Sequence, residues 1–394
     1  MNLRIYDTAR KKIVPFEPNK DVSIYVCGIT PYDATHLGHA FTYLTFDVLT
    51  RRLEDLGHTV HMVRNVTDVD DSILTKAREL KVNYLELAKI EMAKFHDDLK
   101  ALNIRAAISE PTATGSIKEI ISLIKHLQIN GHTYTVDGKT FFDTSTFPNF
   151  GKMCGYNEKT MTELAAERGG NPDDPQQRQP LDFVLWQASK KDEPCWESPF
   201  GTGRPGWHIE CSAMSMESHG PTIDLHGGGN DLIFPHHECE IAQSESVTGK
   251  TFVRHWMHVG MVSYQGTKMS KSLGNLVFIN ELRNFHDPRA IKLALMAHHY
   301  RSGFEWFDKE IDAATNRLNR LLTAKQSPYG PNPEPTLIAV RNYLDNDLDI
   351  PAALNSLDSL AKTILEGSGK NPDSATGLAK GAELLGIDLT NPSK

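Results

Sequence analysis

The chain has no stretch approaching the ~20 consecutive apolar residues that cross a bilayer, and its first residues lack the apolar core of an export signal. Neither a spanning helix nor secretion is expected, and a cytoplasmic location is. Cysteine is scarce. The five residues (27, 154, 195, 211 and 239) are odd in number and scattered, with no Cys-x-x-Cys pair. That argues against a disulfide framework and leaves free thiols or metal ligands. There is no excess of positive charge either: 42 Lys and Arg stand against 50 Asp and Glu, a net charge of -8. No global basic field draws in a nucleic acid, although a local basic face would still serve one. Repeats and low-complexity tracts are also missing. What is present is an ordinary globular composition, 39% apolar and 23% charged over 394 residues, enough for two or three domains.

The most informative stretch runs from residue 25 to residue 42. Apolar residues Val22 to Val26 read as a buried strand, Gly28 to Pro31 as a turn, and His36-Leu37-Gly38-His39 as the start of a helix reaching about Leu56. A strand, a glycine-bearing turn and a helix start bring backbone N–H groups and a positive helix end to a phosphate. His36 and His39 add donors that can neutralise a phosphate in a transition state. A second apolar run, Thr59 to Val63, completes a βαβ unit and predicts a parallel sheet.

Further along, residues 72–104 carry helical periodicity, as do residues 115–130. Thr133 to Phe142 reads as a hairpin turning at Asp137-Gly138. Residues 169–178 form a polar Pro/Gln/Asp loop by composition. Residues 206–262 return to alternating strands and helices, and from Pro288 the pattern is helical to the end. The expected organisation is a first Rossmann half at 1–104, an insertion at 105–205 and a second half at 206–262. A loop-bearing region at 263–310 and a helical domain at 311–394 follow.

Lys268-Met269-Ser270-Lys271-Ser272 supplies two ammonium groups and two hydroxyls on a loop ended by Gly274, suited to closing over a triphosphate. Cys27, Cys211 and His236 offer a tetrahedral zinc set, completed by Glu240 or by an open position. Pro235 favours a helix start there, which would place His236 and Glu240 on one face. An exchangeable position on such an ion would bind a substrate thiolate and reject serine.

His36-Leu37-Gly38-His39 and Lys268 to Ser272 resemble the HIGH and KMSKS motifs of class I aminoacyl-tRNA synthetases. Tyr25 to Gly28, Asn65 to Asp71, Gly203 to Cys211 and His226 to Glu238 are similar to stretches of cysteinyl-tRNA synthetases. They are equally similar to those of the shorter mycothiol-biosynthesis ligases, which join cysteine to glucosaminyl-inositol. The resemblance covers roughly residues 3–325. It implies an α/β class I synthetase-like Rossmann (HUP) catalytic domain with an insertion and a C-terminal helical domain, acting on ATP with Mg²⁺ and on L-cysteine. It implies catalysis by His36, His39, Lys268 and Lys271, and zinc, one ion per chain, on Cys27, Cys211 and His236. Cys27, Gly28, Ile29, Thr30, Thr42, Asn65, Val66, Thr67, Trp207, Gly229, Asn230, Asp231 and Val262 would line the cysteinyl-adenylate pocket. Taken singly, Thr42 and Trp207 also read as core residues, Gly227 to Gly229 as a turn, and Asp68, Asp70 and Asp71 as a solvated loop.

Several stretches favour the ligase over the synthetase: Gly28-Ile29-Thr30-Pro31, Phe41 in place of a common Arg, Glu167 to Pro172, and Ser198 to Gly201. The chain after Tyr300-Arg301 leaves little room for an anticodon-binding module. Glu240, Glu240 to Ser244 and Ser272 to Asn275 favour the synthetase, with tRNA as acceptor. A non-catalytic binding paralogue would not need all three motifs. The expectation is a monomeric ligase acting on glucosaminyl-inositol, in which Asp33 or His39 deprotonates the acceptor amine.

Overall fold

The computed structural model describes residues 3–269 and 274–390. A short hairpin, β1 (Arg4–Asp7) and β2 (Lys12–Pro15), precedes β3 (Asp21–Ile29), where the sequence suggests only one strand and a loop. Helix α1 (Leu37–Asp55) follows, then β4 (Thr59–Val66). The expected continuous helical stretch is two helices, α2 (Asp71–Leu80) and α3 (Tyr84–Ala101). Lys81 adopts a left-handed conformation and Asn83 caps α3, so a stop and a new start interrupt a periodicity that runs on through them.

Helix α4 (Ile117–Ile129) leads into an antiparallel sheet of order β5-β6-β7-β8, made of Thr133–Val136, Lys139–Phe142, Phe183–Gln187 and Arg204–Pro205. Helix α5 (Glu158–Glu167) lies between β6 and β7. The hairpin turn falls at Asp137-Gly138, both at positive φ as a tight hairpin requires. The chain then forms α6 (Trp207–His219), β9 (Leu225–Gly229), α7 (Glu238–Thr248) and β10 (Trp256–Val259).

Strands β10, β9, β3 and β4 make one parallel sheet in that order. Its strands are buried almost throughout because helices cover both faces. The antiparallel sheet shares a core with the metal-side helices: Phe142, Phe183 and Trp186 pack with Ile120, Ile209 and Ala242. Residues 117–205 therefore sit directly on α6 and α7.

Strands β11 (Val262–Tyr264) and β12 (Thr267–Lys268) form a small sheet with β13 (Phe304–Glu305). Two helices separate β12 from β13, α8 (Ile279–Leu282) and α9 (Pro288–Leu295). The pattern from Pro288 is thus not wholly helical. Parallel pairing of Val262 with Phe304 interrupts it before the four helices α10 (Lys309–Lys325), α11 (Glu334–Asp345), α12 (Ile350–Leu365) and α13 (Ser374–Leu384).

One buried ion pair ties these parts together. Lys292 of α9 is 1% exposed, lies 3.6 Å from Asp47 of α1, and donates to the carbonyls of Asn103 and Gly386. Burial lowers Lys292 to about 8 despite the opposing pull of Asp47. A lysine that holds its proton less firmly folded than unfolded makes stability rise as pH climbs through that window. Lys292→Met should remove this contribution. The unfolding free energy of the wild type relative to the variant, from urea titrations, should rise between about pH 8 and pH 10. A constant difference would contradict the assignment.

Candidate active site

The carboxyl ends of parallel strands are where open α/β sheets bind ligands, and here that edge is built around a break in β3. Its register with β4 shifts between Val26 and Ile29, so Cys27 and Gly28 leave the regular ladder. The Gly28 amide bonds instead to Asn65 Oδ1 at 2.8 Å. A Cβ on Gly28 would lie 1.6 Å from the Asn65 carbonyl oxygen, so only glycine fits this approach. Asn65 Nδ2 donates to Thr67 Oγ1 at 3.2 Å.

Helix α1 begins at this bulge. His36 is its cap, and its Nδ1 accepts from the amides of Gly38 and His39 at 3.1 and 3.4 Å. An accepting Nδ1 places the ring proton on Nε2. The His36 and His39 rings stack 3.7 Å apart. Together with Cys27, Gly28, Thr42, Gly229, Asp231 and Val262 they line a cavity of about 220 Å³. Eight of the expected site residues thus meet in one place. Tyr43, Gly260, Met261 and Met269 join them without a motif to announce them.

Thr30 and Trp207 lie in a neighbouring cavity of about 650 Å³. Ile29, Asn65, Val66 and Thr67 line neither. Asn65 acts through Gly28, Val66 is buried in the sheet, and Asn230 is exposed at the end of β9. Of the two expected bases, His39 lines the smaller cavity, whereas Asp33 lines a separate outer groove. The expectation for Lys271 lies outside the described residues, and Lys268 is placed only by its backbone in β12.

Beneath the smaller cavity, Cys27, Cys211, His236 and Glu240 bring ligand atoms within 4.8 Å of one another. Cys27 Sγ is 4.0 Å from Cys211 Sγ and 3.7 Å from Glu240 Oε1, and His236 Nε2 is 3.1 Å from the same oxygen. Tetrahedral zinc sites separate such donors by about 3.3–3.8 Å, so the four residues fit a metal ion. His236 does not start the helix as expected. Phe234 is extended, and α7 proper begins at Glu238 after a kinked turn, Ile233–His237. The four-residue spacing nevertheless brings His236 to Glu240.

A ring of histidines surrounds this cage. His226 Nε2 meets Glu240 Oε2 at 2.9 Å, and His208 Nδ1 meets His236 Nδ1 at 2.9 Å. His237 lies 3.2 Å from Cys27 and 2.7 Å from His258, which in turn contacts Thr8. Cys27, His226, His237 and Glu240 form a second overlapping donor set. Burial would raise Glu240, but His226 and His236 outweigh it and bring it to about 2. Burial would lower His236, but Cys211 and Glu240 raise it to about 10. A hydrogen bond from Cys27 brings Cys211 down to about 6 against burial, whereas burial drives Cys27 well up. Burial and a neighbouring imidazole push His208 and His258 to about 3, so these two rings are neutral.

Residues 13–316 match the model of the tRNA synthetases class I (C) catalytic domain. A protein of Gordonia bronchialis named L-cysteine:1D-myo-inositol 2-amino-2-deoxy-alpha-D-glucopyranoside ligase is 46% identical over 392 residues, covering 98% of this chain and 95% of its own. The chain belongs to this ligase family, within the class I synthetase fold. The protein of the same name from Streptosporangium roseum is 45% identical over 390 residues, covering 98% of this chain and 96% of its own. Among solved structures, methionyl-tRNA synthetase of Mycobacterium tuberculosis in complex with methionyl-adenylate superposes with a TM-score of 0.64 at 18% identity. That match covers 93% of this chain and 90% of that one, and it bears on the fold alone.

Two features escape sequence reasoning. Arg168, at the end of α5, donates to the carbonyls of Asp231 (2.5 Å) and Phe234, bracketing the turn that precedes His236. The histidines at 208, 226, 237 and 258 were visible as residues, but only the sheet brings them together. Asn65→Ala would strand the half-buried Gly28 amide. It should cost about 1–3 kcal/mol in urea unfolding and slow adenylate formation, because the bulge holding Cys27 loses its anchor.

Proposed function

We propose that the protein joins L-cysteine to the amine of glucosaminyl-inositol through cysteinyl-AMP, releasing diphosphate and then AMP. The observation that carries this reading is near-full-length similarity to relatives named for that acceptor. The site's geometry agrees with it. The outer groove that shares Tyr32, Asp71 and Ser72 with the larger cavity also carries Asp33 and Glu79. With Asp33, Asp71 and Glu79 against Lys76, which pairs with Glu79, the entrance is net acidic, which disfavours a polyanionic tRNA and suits an amino sugar. Glu240 beside Cys27 and His236 is the feature favouring the alternative, a cysteinyl-tRNA synthetase.

In the first step the cysteine carboxylate attacks the α-phosphate of ATP, which enters with Mg²⁺. The His36 Nε2–H, held by the two amide bonds to Nδ1, and His39 stacked on it offer donors to the phosphoryl oxygens. A zinc ion on Cys27, Cys211, His236 and Glu240 would supply a soft Lewis acid that prefers a thiolate to a hydroxyl. His226 anchors the far oxygen of Glu240, and His208 fixes the tautomer of His236. In the second step the neutral amine attacks the cysteinyl carbonyl and AMP departs. Asp231, which lines both cavities, would take the amine proton.

Offered ATP, cysteine, glucosaminyl-inositol and cysteine tRNA together, the protein should yield the cysteinyl amide and leave the tRNA uncharged, as read by mass spectrometry. Charged tRNA would overturn the ligase reading. Cys211→Ser should lower zinc content by elemental analysis and weaken discrimination against serine in ATP–diphosphate exchange. Asp231→Asn should slow amide formation about 100-fold and affect exchange far less.

A further inference from the structure

Apart from Thr30, Trp207 and Asp231, the wall of the larger cavity carries none of the residues expected around the adenylate. This cavity is about 650 Å³ in volume and reaches the smaller cavity through Asp231 and Leu232, which line both. Any acceptor must therefore present its amine near Asp231 and extend the rest of itself away from the adenylate. The larger cavity receives that remainder, and part of its wall comes from residues 168–182 and Lys139, outside the parallel-sheet halves.

Three observations bear on what this wall recognises. Arg168 is bonded to the carbonyl of Asp231, so the wall is tied to the point where the amine reacts. Gln177 donates through Nε2 to the Asp182 carbonyl, which can only accept, and this orients the amide. Its Oε1 is left buried without a hydrogen-bond partner among the described residues. Gln177 itself is half-buried on the cavity wall, so a turn of its side chain toward the cavity would pair this oxygen with a ligand hydroxyl and relieve the penalty of leaving it unpaired. Nearby, Asp174 is held by Lys139 at 2.9 Å, and the Asn171 side chain is exposed at the cavity edge with no hydrogen bond among the described residues. The set is polar, largely uncharged once paired, and rich in acceptors. That is the chemistry of a polyol site and not of a phosphate site.

We propose that the loop 168–182 binds the acceptor's distal, polyhydroxylated ring, with Gln177 and Asn171 accepting and donating to its hydroxyls. The loop thereby acts as the specificity element for the ring that does not react. This rests on the ligase reading above.

The test compares glucosaminyl-inositol with glucosamine, which keeps the amine and lacks the second ring. Gln177→Leu and Asn171→Ala should each lower kcat/KM for glucosaminyl-inositol about tenfold, mostly through KM, and change that for glucosamine less than about twofold. Equal losses with both acceptors, or no loss with either, would overturn the proposal. So would a fall in ATP–diphosphate exchange, run without acceptor, as large as the fall in amide formation, since that reports a general defect. Asn171, exposed and making no internal bond, guards against Gln177→Leu failing to fold. Wild-type protein that makes neither amide would sink the ligase reading itself, separately from the role of the loop.

Discussion

Glu240 has no exposed surface, yet it carries its negative charge in the core, and the arrangement of the site follows from offsetting that burial. An unpaired carboxylate in such a place would protonate or unfold the region. His226 binds one oxygen and His236 approaches the other, and together they hold the carboxyl at about 2. Because Cys27 and Cys211 converge on the same point, the cluster has the donors and the negative charge of a site for a soft cation. Each member comes from a different element. Cys27 lies on the β3 bulge, Cys211 on α6, His236 in the turn before α7, Glu240 on α7 and His226 on β9. A cation held among them would fasten the sheet to its helices.

The rest of the fold supplies position. The bulge at Cys27 and Gly28 turns the end of β3 toward the cap of α1, so Cys27 and the His36–His39 pair share one cavity. The antiparallel sheet of residues 117–205 shares its core with α6 and α7, and Arg168 from the same segment reaches the Asp231 carbonyl. At the other end Lys292 and Asp47 lock α1 to α9 and to the segment after α13. Helix α1 is therefore restrained at its middle while its cap lines the smaller cavity. A rigid helix keeps the groups at its cap in a fixed geometry.

Much of this was readable from residue order alone. The βαβ unit, the helix start at His36 to His39, the hairpin at Asp137-Gly138 and the polar loop after Gly169 have local causes: periodicity and turn chemistry. The same local logic failed at Lys81, where the hydrophobic pattern continues through a helix break. It failed again at Phe234, where an extended residue delays the helix beyond Pro235, and at Phe304, where pairing with Val262 replaces helix by strand. Strand pairing and kinks answer to partners far away in the chain, which no local window contains.

The sequence by itself determined the chemistry available to this protein: two cysteines, the His36 and His39 pair, the basic loop after Thr267, and an acidic chain without a global field for nucleic acid. These are properties of residue types and short spacings, and they persist in any fold. Only the tertiary structure decided which groups act together. It joined Glu240 to His226, opened the smaller cavity onto a second, larger one through Asp231, and set Gln177 beside that space. Such juxtapositions depend on how the parallel sheet and the antiparallel one pack against a shared pair of helices, so they come into being only when the core closes.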